Sequence, residues 1–167
     1  KCYNKKTKRF IRAIIPMHTF GHICDIKKLK LIAKKFKLII IEDAAEALGS
    51  FYKNKHAGTF GDVGILSFNG NKIITTGMGG AILTNNRKIF EKAKHLAATA
   101  KINSKWDYIH DEVGYNYRLP SLNASLGCSQ LKKINYLLDN KRKLYKKYQK
   151  SFSKLNFLTL FREPLHP

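Results

Sequence analysis

Acidic residues are scarce in this chain, cysteines scarcer, and no apolar run approaches the length of a membrane span. Each shortage removes a class of protein. The three cysteines, Cys2, Cys24 and Cys128, lie far apart and form no CxxC pair. A disulfide framework and a zinc ribbon are therefore not indicated, and a reducing compartment fits. The apolar stretch from Ala13 to Met17 is too short for a signal-peptide core, so the expectation is a soluble, cytoplasmic protein with no membrane partner. Eleven acidic residues against 32 lysines and arginines leave a formal charge of +21. Such a balance raises nucleic acid as a partner. Two details weigh against it: the cations are mostly lysine rather than base-reading arginine, and they are spread along the chain in KKTKR, KKLK, KKFK and KRKLYKKYQK.

What remains is ordinary for a folded domain. Hydrophobic residues make up 44% and aromatics 11%, which excludes disordered and collagen-like chains, and 167 residues suffice for one core. Residues 1–10 are polar and basic and are expected to form a loose end. Arg12–Pro16 reads as a short strand stopped by its proline. Asp25 can cap a helix whose apolar positions Ile26, Leu29, Ile32, Ala33 and Phe36 recur at helical spacing. Leu38–Ile41 is a β-branched run expected to be buried on both faces of a parallel sheet, and Val63–Phe68 is a second buried strand. DAAEALGSFY reads as a short helix-like turn and KNKHAGTFGD as loop. Gly80–Thr84 is a further strand, and Asn86 caps a helix through Ile89, Phe90, Ala93 and Leu96. Residues 99–119 lack periodicity. Pro120 suits the start of one long helix running to about Lys150. Alternating strands and helices predict an α/β fold with a mostly parallel sheet.

Three polar residues fall where such a sheet binds ligands, at the carboxyl ends of its strands. Asp43 closes the first long strand, where a carboxylate can hold a metal, hold a cationic ring nitrogen, or merely cap a turn. Ser67 closes the next strand and can donate its hydroxyl to a phosphate. Lys72 follows five residues later, with Gly70 between them to let the backbone turn. A partly desolvated amine there is suited to form a Schiff base with an aldehyde. The TTGMGG turn adds exposed N–H groups. His18, His22, Cys24 and Asp25 are close in sequence, but their loop setting does not give a helix-face metal site, and no metal is expected. The segment Tyr108–Pro120, dense in aromatic and polar residues, has the character of an interface or ligand-site loop.

Taken together, IIEDAAEALGS, GTFGDVGILSFNGNKIITTGMGGAILT and GYNYRLPSLNASLG resemble the sugar aminotransferases of the DegT/DnrJ/EryC/StrS group. These are pyridoxal-phosphate (PLP) enzymes of fold type I. The likeness runs in order from about Ile14 to about Lys150. It implies that Lys72 carries PLP, that Asp43 pairs with the pyridinium nitrogen and that Glu46 lies beside the ring hydroxyl. It also implies that Ser67 binds the phosphate, and that Asn116 reaches the phosphate of the neighbouring subunit in a homodimer. The implied reaction moves an amino group from a donor such as glutamate to a nucleotide-linked keto sugar, a UDP- or GDP-4-keto-6-deoxyhexose, for surface polysaccharide or glycan synthesis. Lysine at position 72, rather than the histidine of the dehydrating relatives, favours amination. Members of the group are more than twice this length. Residues 1–150 then correspond to the central part of the large PLP-binding domain with its connecting helix, and residues 151–167 to the start of a truncated small domain. Alone, such a segment is expected to bind PLP weakly. A PLP-fold relative that has lost catalysis and a basic nucleic-acid-binding module are the competing readings.

Overall fold

The computed structural model describes residues 2–163. Its centre is a four-stranded sheet of order β3-β4-β7-β8, made by β3 (Ala13–Ile14), β4 (Ile39–Asp43), β7 (Val63–Ser67) and β8 (Gly80–Leu83). The first two pairings are parallel and the β7–β8 pairing is antiparallel. The sheet is thus mostly parallel with one reversed edge, because β8 returns directly from β7 through the glycine-rich turn. Asp43 is in register with Ile65, and Ser67 with Gly80.

Helix α1 (Ile26–Phe36) packs on one face. Asp25 accepts the Lys28 N–H at 3.1 Å, a cap worth about 1 kcal/mol. Ile26 meets Ala44, Ala47, Phe60 and Leu66 in the core cluster, with Leu29 against it. The alternation along the strands puts Ile40, Glu42, Gly64 and Leu66 on this covered side. Within this chain the opposite side is only partly covered: Ile39 is 49% exposed, Ile65 41% and Ile82 57%, while Ile41 and Val63 are half-buried. The expectation of strands buried on both faces is corrected accordingly. An apolar run such as LIII measures β propensity, and it does not by itself say that a second layer covers the far side.

Three further expectations change. The basic amino end is ordered as a two-residue ladder, β1 (Cys2–Tyr3) against β2 (Phe10–Ile11), closed by the Tyr3 and Phe10 rings at 4.2 Å. Residues 44–50 form successive turns rather than a helical segment, with Ala47 N–H bonded to Ala44 C=O and Ser50 N–H to Ala47 C=O. A hairpin follows, β5 (Phe51–Tyr52) against β6 (Lys55–His56). Its Lys53 and Asn54 both have positive φ, the geometry of a tight turn usually announced by glycine. Helix α2 (Arg87–Ala97) is capped by Asn86 as expected.

The long helix after Pro120 is two helices, α3 (Ser121–Leu131) and α4 (Ile134–Phe152). At the break the Lys133 N–H bonds Gln130 C=O, three residues back. That tightened turn ends the α-helical ladder. One close approach fixes the loop ahead of β7. A Cβ at Gly64 would collide with the Gly58 backbone, so the chain crosses itself there with no side chain between.

Candidate active site

The carboxyl ends of β4 and β7 lie side by side, and they place Asp43 and Ser67 on one edge of the sheet. Asp43 Oδ1 accepts the Ala45 N–H at 3.1 Å, which fixes the carboxylate and leaves Oδ2 uncommitted. Ser67 Oγ accepts only a long bond from the Asn69 N–H, 3.4 Å, so its hydroxyl proton is available to an incoming acceptor. Its backbone pairs with Gly80, so the twelve residues between them leave and re-enter the sheet at neighbouring points.

Lys72 stands in that excursion, and the excursion is firmly held. Phe68 N–H bonds Gly79 C=O, and Thr76 N–H returns to Phe68 C=O. Thr75 Oγ1 donates to the same Phe68 carbonyl. Helix α3 supplies the outer bracket. Gln130 Oε1 accepts the Thr75 N–H at 2.9 Å, and Asn123 Nδ2 donates to Thr76 C=O at 2.6 Å. A methyl at Gly127 would press on the Thr76 side chain, so glycine in the helix permits this contact. Ile74 and Thr76 are buried beneath. The Lys72 side chain is 17% exposed, and among the described residues its Nζ makes no hydrogen bond; it forms a loose ion pair with Glu46 Oε1 at 3.6 Å. The other Glu46 oxygen accepts the Phe20 N–H at 2.7 Å.

The structure therefore brings Lys72 beside Glu46, and Asp43 beside Ser67, on the same strand-end edge. Asn116 lies apart. It is exposed in the irregular segment and bridges Ala98 through its backbone, and its side chain bonds none of the other four.

The residue missed by sequence reasoning is Glu42. It is fully buried, and every lone-pair direction is used. His18 Nε2 donates at 2.9 Å, and the N–H groups of Gly58, Phe60 and Gly61 donate at 2.8, 2.5 and 2.5 Å. The Cys24 N–H donates to His18 Nδ1, so the ring proton sits on Nε2 and the pair is a hydrogen bond from a neutral imidazole. Burial pushes the Glu42 carboxyl up, but the bonds from His18 and the three backbone donors outweigh it and hold it below its ordinary value. The same knot pins Asp43, whose N–H bonds Pro16 C=O and whose C=O accepts the His18 N–H, both at 2.9 Å. The only advance signal was an acid inside an apolar strand. The other members of the histidine loop are also spoken for: Cys24 donates to Met17 C=O, Asp25 caps α1 and the His22 ring meets Phe161 edge-on. One group elsewhere has metal-ligand chemistry, His95 with Asp111 and Glu112. Lys92 already neutralises Glu112, with 2.5 Å to each oxygen.

The residues present fit a phosphorylated, cationic aromatic aldehyde: a shielded amine, an acid with a free oxygen and a hydroxyl with a free proton share one edge. Comparison with known proteins agrees in fold. The model of the DegT/DnrJ/EryC1/StrS aminotransferase family matches residues 3–166. GDP-perosamine synthase of Escherichia coli O157:H7 is 40% identical, covering 86% of this chain and 39% of that protein. UDP-4-amino-4,6-dideoxy-N-acetyl-beta-L-altrosamine transaminase of Campylobacter jejuni is 36% identical, covering 92% of this chain and 41% of that one. Among solved structures, Helicobacter pylori PseC, an aminotransferase involved in the biosynthesis of pseudoaminic acid, superposes with a TM-score of 0.83. Its identity is 30%, over 87% of this chain and 39% of the other. The chain thus spans about two fifths of the length of the curated relatives it matches.

Proposed function

Because the chain belongs to the DegT/DnrJ/EryC1/StrS aminotransferase family, we propose that it forms the PLP-holding part of an aminotransferase that acts on a nucleotide-linked keto sugar. The observation that carries this reading is the state of Lys72. In a chain crowded with solvated lysines, its amine is shielded, makes no hydrogen bond among the described residues, and is mounted beside Glu46 on a loop that α3 brackets. Bound there, PLP supplies an electron sink for the transferred amino group.

The chain's own residues supply the rest. Lys72 holds the cofactor covalently, then moves a proton as acid and base once its amine is released. The free oxygen of Asp43 keeps the ring nitrogen protonated, and Glu46 faces the ring hydroxyl. Ser67 donates to the phosphate. Asn116, exposed and bridged to Ala98 through its backbone, serves the neighbouring subunit of a homodimer. Residues 1–150, with α3 and most of α4 as the connecting segment, form the central part of the large domain, and residues 151–167, the last four of which lie outside the described residues, begin the small domain. The substrate class is a UDP- or GDP-4-keto-6-deoxyhexose with glutamate as donor, feeding surface polysaccharide or glycan synthesis. The names of the GDP- and UDP-sugar relatives support it. Three free cysteines suit a reducing, cytoplasmic setting. No described helix is long and apolar enough to cross a membrane.

The test is covalent. The full-length protein is loaded with PLP and reduced with borohydride, and the modified lysine is mapped by mass spectrometry. Label is expected on Lys72, and Lys72→Arg is expected to abolish it and to lower amination by roughly 10³-fold or more. Label on another lysine overturns the assignment.

A further inference from the structure

The lysine clusters that the aminotransferase reading leaves without a role are densest in the first quarter of the chain. Residues 2–41 hold eleven lysines and arginines and a single acid, Asp25, which caps α1 and pairs with Lys28 at 2.9 Å. The turn of the β1–β2 hairpin is built by Asn4, whose Oδ1 accepts the N–H groups of Lys6 and Thr7, both at 3.0 Å. That turn leaves Lys5, Lys6, Lys8 and Arg9 exposed. Arg12 follows β2, and its carbonyl accepts the Ile39 N–H at the amino end of β4. The last turn of α1 brings Lys34 and Lys35 to the same end of the sheet, with Lys37 directly after it.

A cavity of about 540 Å³ opens between these elements. Phe10, Phe36 and Ile39 supply apolar wall, and Arg12, Lys35 and Lys37 supply charge; its described lining holds no acid. The neighbouring face of α1 is apolar as well as basic. Leu31 is 68% exposed, and helical spacing sets Lys27, Lys34 and Lys35 three or four residues from it. Single exposed apolar residues are ordinary, but here several run together and cations frame them.

The charge fixes the sign of a partner, and the apolar groups fix its class. Nine of the eleven cations are lysine, whereas reading of base edges favours arginine. Bases stack on aromatic rings but gain little from leucine or isoleucine. An anionic bilayer uses both sets: its phosphates attract lysines, and its acyl boundary accepts aliphatic and aromatic side chains.

We propose that the β1–β2 hairpin and the outer face of α1 form a docking surface for a membrane rich in anionic phospholipid, with a phosphate headgroup in the cavity and Leu31 in the acyl boundary. The attachment is peripheral; no described helix is long and apolar enough to cross a membrane. Apolar run length, from which no membrane partner was expected, speaks to spans and is silent about such a surface. The patch lies at the amino ends of β3 and β4, whereas Asp43 and Ser67 close the carboxyl ends of β4 and β7. Docking therefore leaves the candidate active site open to its substrates.

The test is sedimentation of the full-length protein with phosphatidylcholine vesicles, with and without about one-third phosphatidylglycerol. Binding is expected only with the anionic lipid, and is expected to weaken as salt is raised. Lys5→Gln/Lys8→Gln/Lys35→Gln is expected to weaken it about 30-fold or more. Lys143→Gln/Lys146→Gln/Lys147→Gln removes the same charge from exposed positions on α4 and is expected to stay within about threefold of wild type. Leu31→Gln, a change at an exposed position, is expected to lose about fivefold. Circular dichroism checks the fold of each variant, so the result does not depend on the aminotransferase reading. Failure to sediment with the anionic vesicles overturns the proposal, and so does an equal loss in the α4 variant, which would make binding a matter of net charge. Wild-type affinity in Leu31→Gln overturns the lipid assignment; displacement from the vesicles by a random single-stranded oligonucleotide would then give the patch to nucleic acid.

Discussion

Glu42 and Glu46 lie one tight turn apart on the same run of chain, and their surroundings differ in every respect that matters. Glu42 points under the sheet, is fully buried, and has its oxygens filled by His18 and three backbone donors. Glu46 lies at the strand-end edge, partly exposed, with one oxygen on the Phe20 N–H and the other in a loose ion pair with the Lys72 amine, 3.6 Å away and beyond hydrogen-bond length. Asp43, between them, is intermediate: its backbone is tied into the buried knot and one side-chain oxygen is unused. Completeness of hydrogen bonding thus separates scaffold from site. A saturated carboxylate holds architecture, because any further partner would have to displace one it has. Unsaturated groups on a rigid edge are the ones left to meet a ligand.

Three perturbations probe that contrast, and the largest effect falls on the buried side. Glu42→Ala strands the His18 ring and three backbone N–H groups in a dry interior. Unfolding by urea is expected to show a loss of roughly 3–5 kcal/mol. A loss under about 1 kcal/mol would mean that solvent reaches the knot and that Glu42 is no more structural than Glu46.

The second perturbation is acid. The folded Glu42 carboxyl lies below its ordinary value of 4.5, so near that pH the unfolded chain binds more protons than the folded one. Its contribution is therefore fully present above about pH 4.5 and disappears as pH falls through the lower folded value. Stability measured between pH 6 and pH 3 is expected to fall more steeply in wild type than in Glu42→Gln, which has no carboxyl to protonate there. Parallel curves would remove the carboxylate from the account.

The smallest effect is expected at the edge. Glu46→Gln keeps an oxygen for the Phe20 N–H and removes only the charge facing Lys72. Its unfolding free energy is expected to stay within about 0.5 kcal/mol of wild type, while borohydride still labels Lys72. A penalty comparable to that at Glu42 would place Glu46 in the scaffold.

The same contrast explains what the sequence disclosed. The strand-end positions of Asp43 and Ser67 were legible because each closes an apolar run, and Lys72 was picked out by its place five residues beyond the second. The caps Asp25 and Asn86 were legible for a similar reason, since their effect is confined to three residues. The role of Glu42 was hidden because its partners lie 16 to 24 residues away in loops without pattern. The partly open sheet face was hidden too, because isoleucine favours a strand whether or not its far side is covered. The Phe51–His56 hairpin turns on Lys-Asn rather than a glycine pair, and the Lys132–Lys133 break falls at residues that propagate a helix well.

The Gly58–Gly64 crossing gives the buried knot a long mutational reach. Gly58 both supplies an N–H to Glu42 and lies where a side chain at position 64 would need to go. A single methyl at Gly64, on a strand that Glu42 itself pairs with through its backbone, would push that donor off the carboxylate. In a saturation scan position 64 would then be as intolerant as the glutamate, though its own residue has no side chain with which to make a contact.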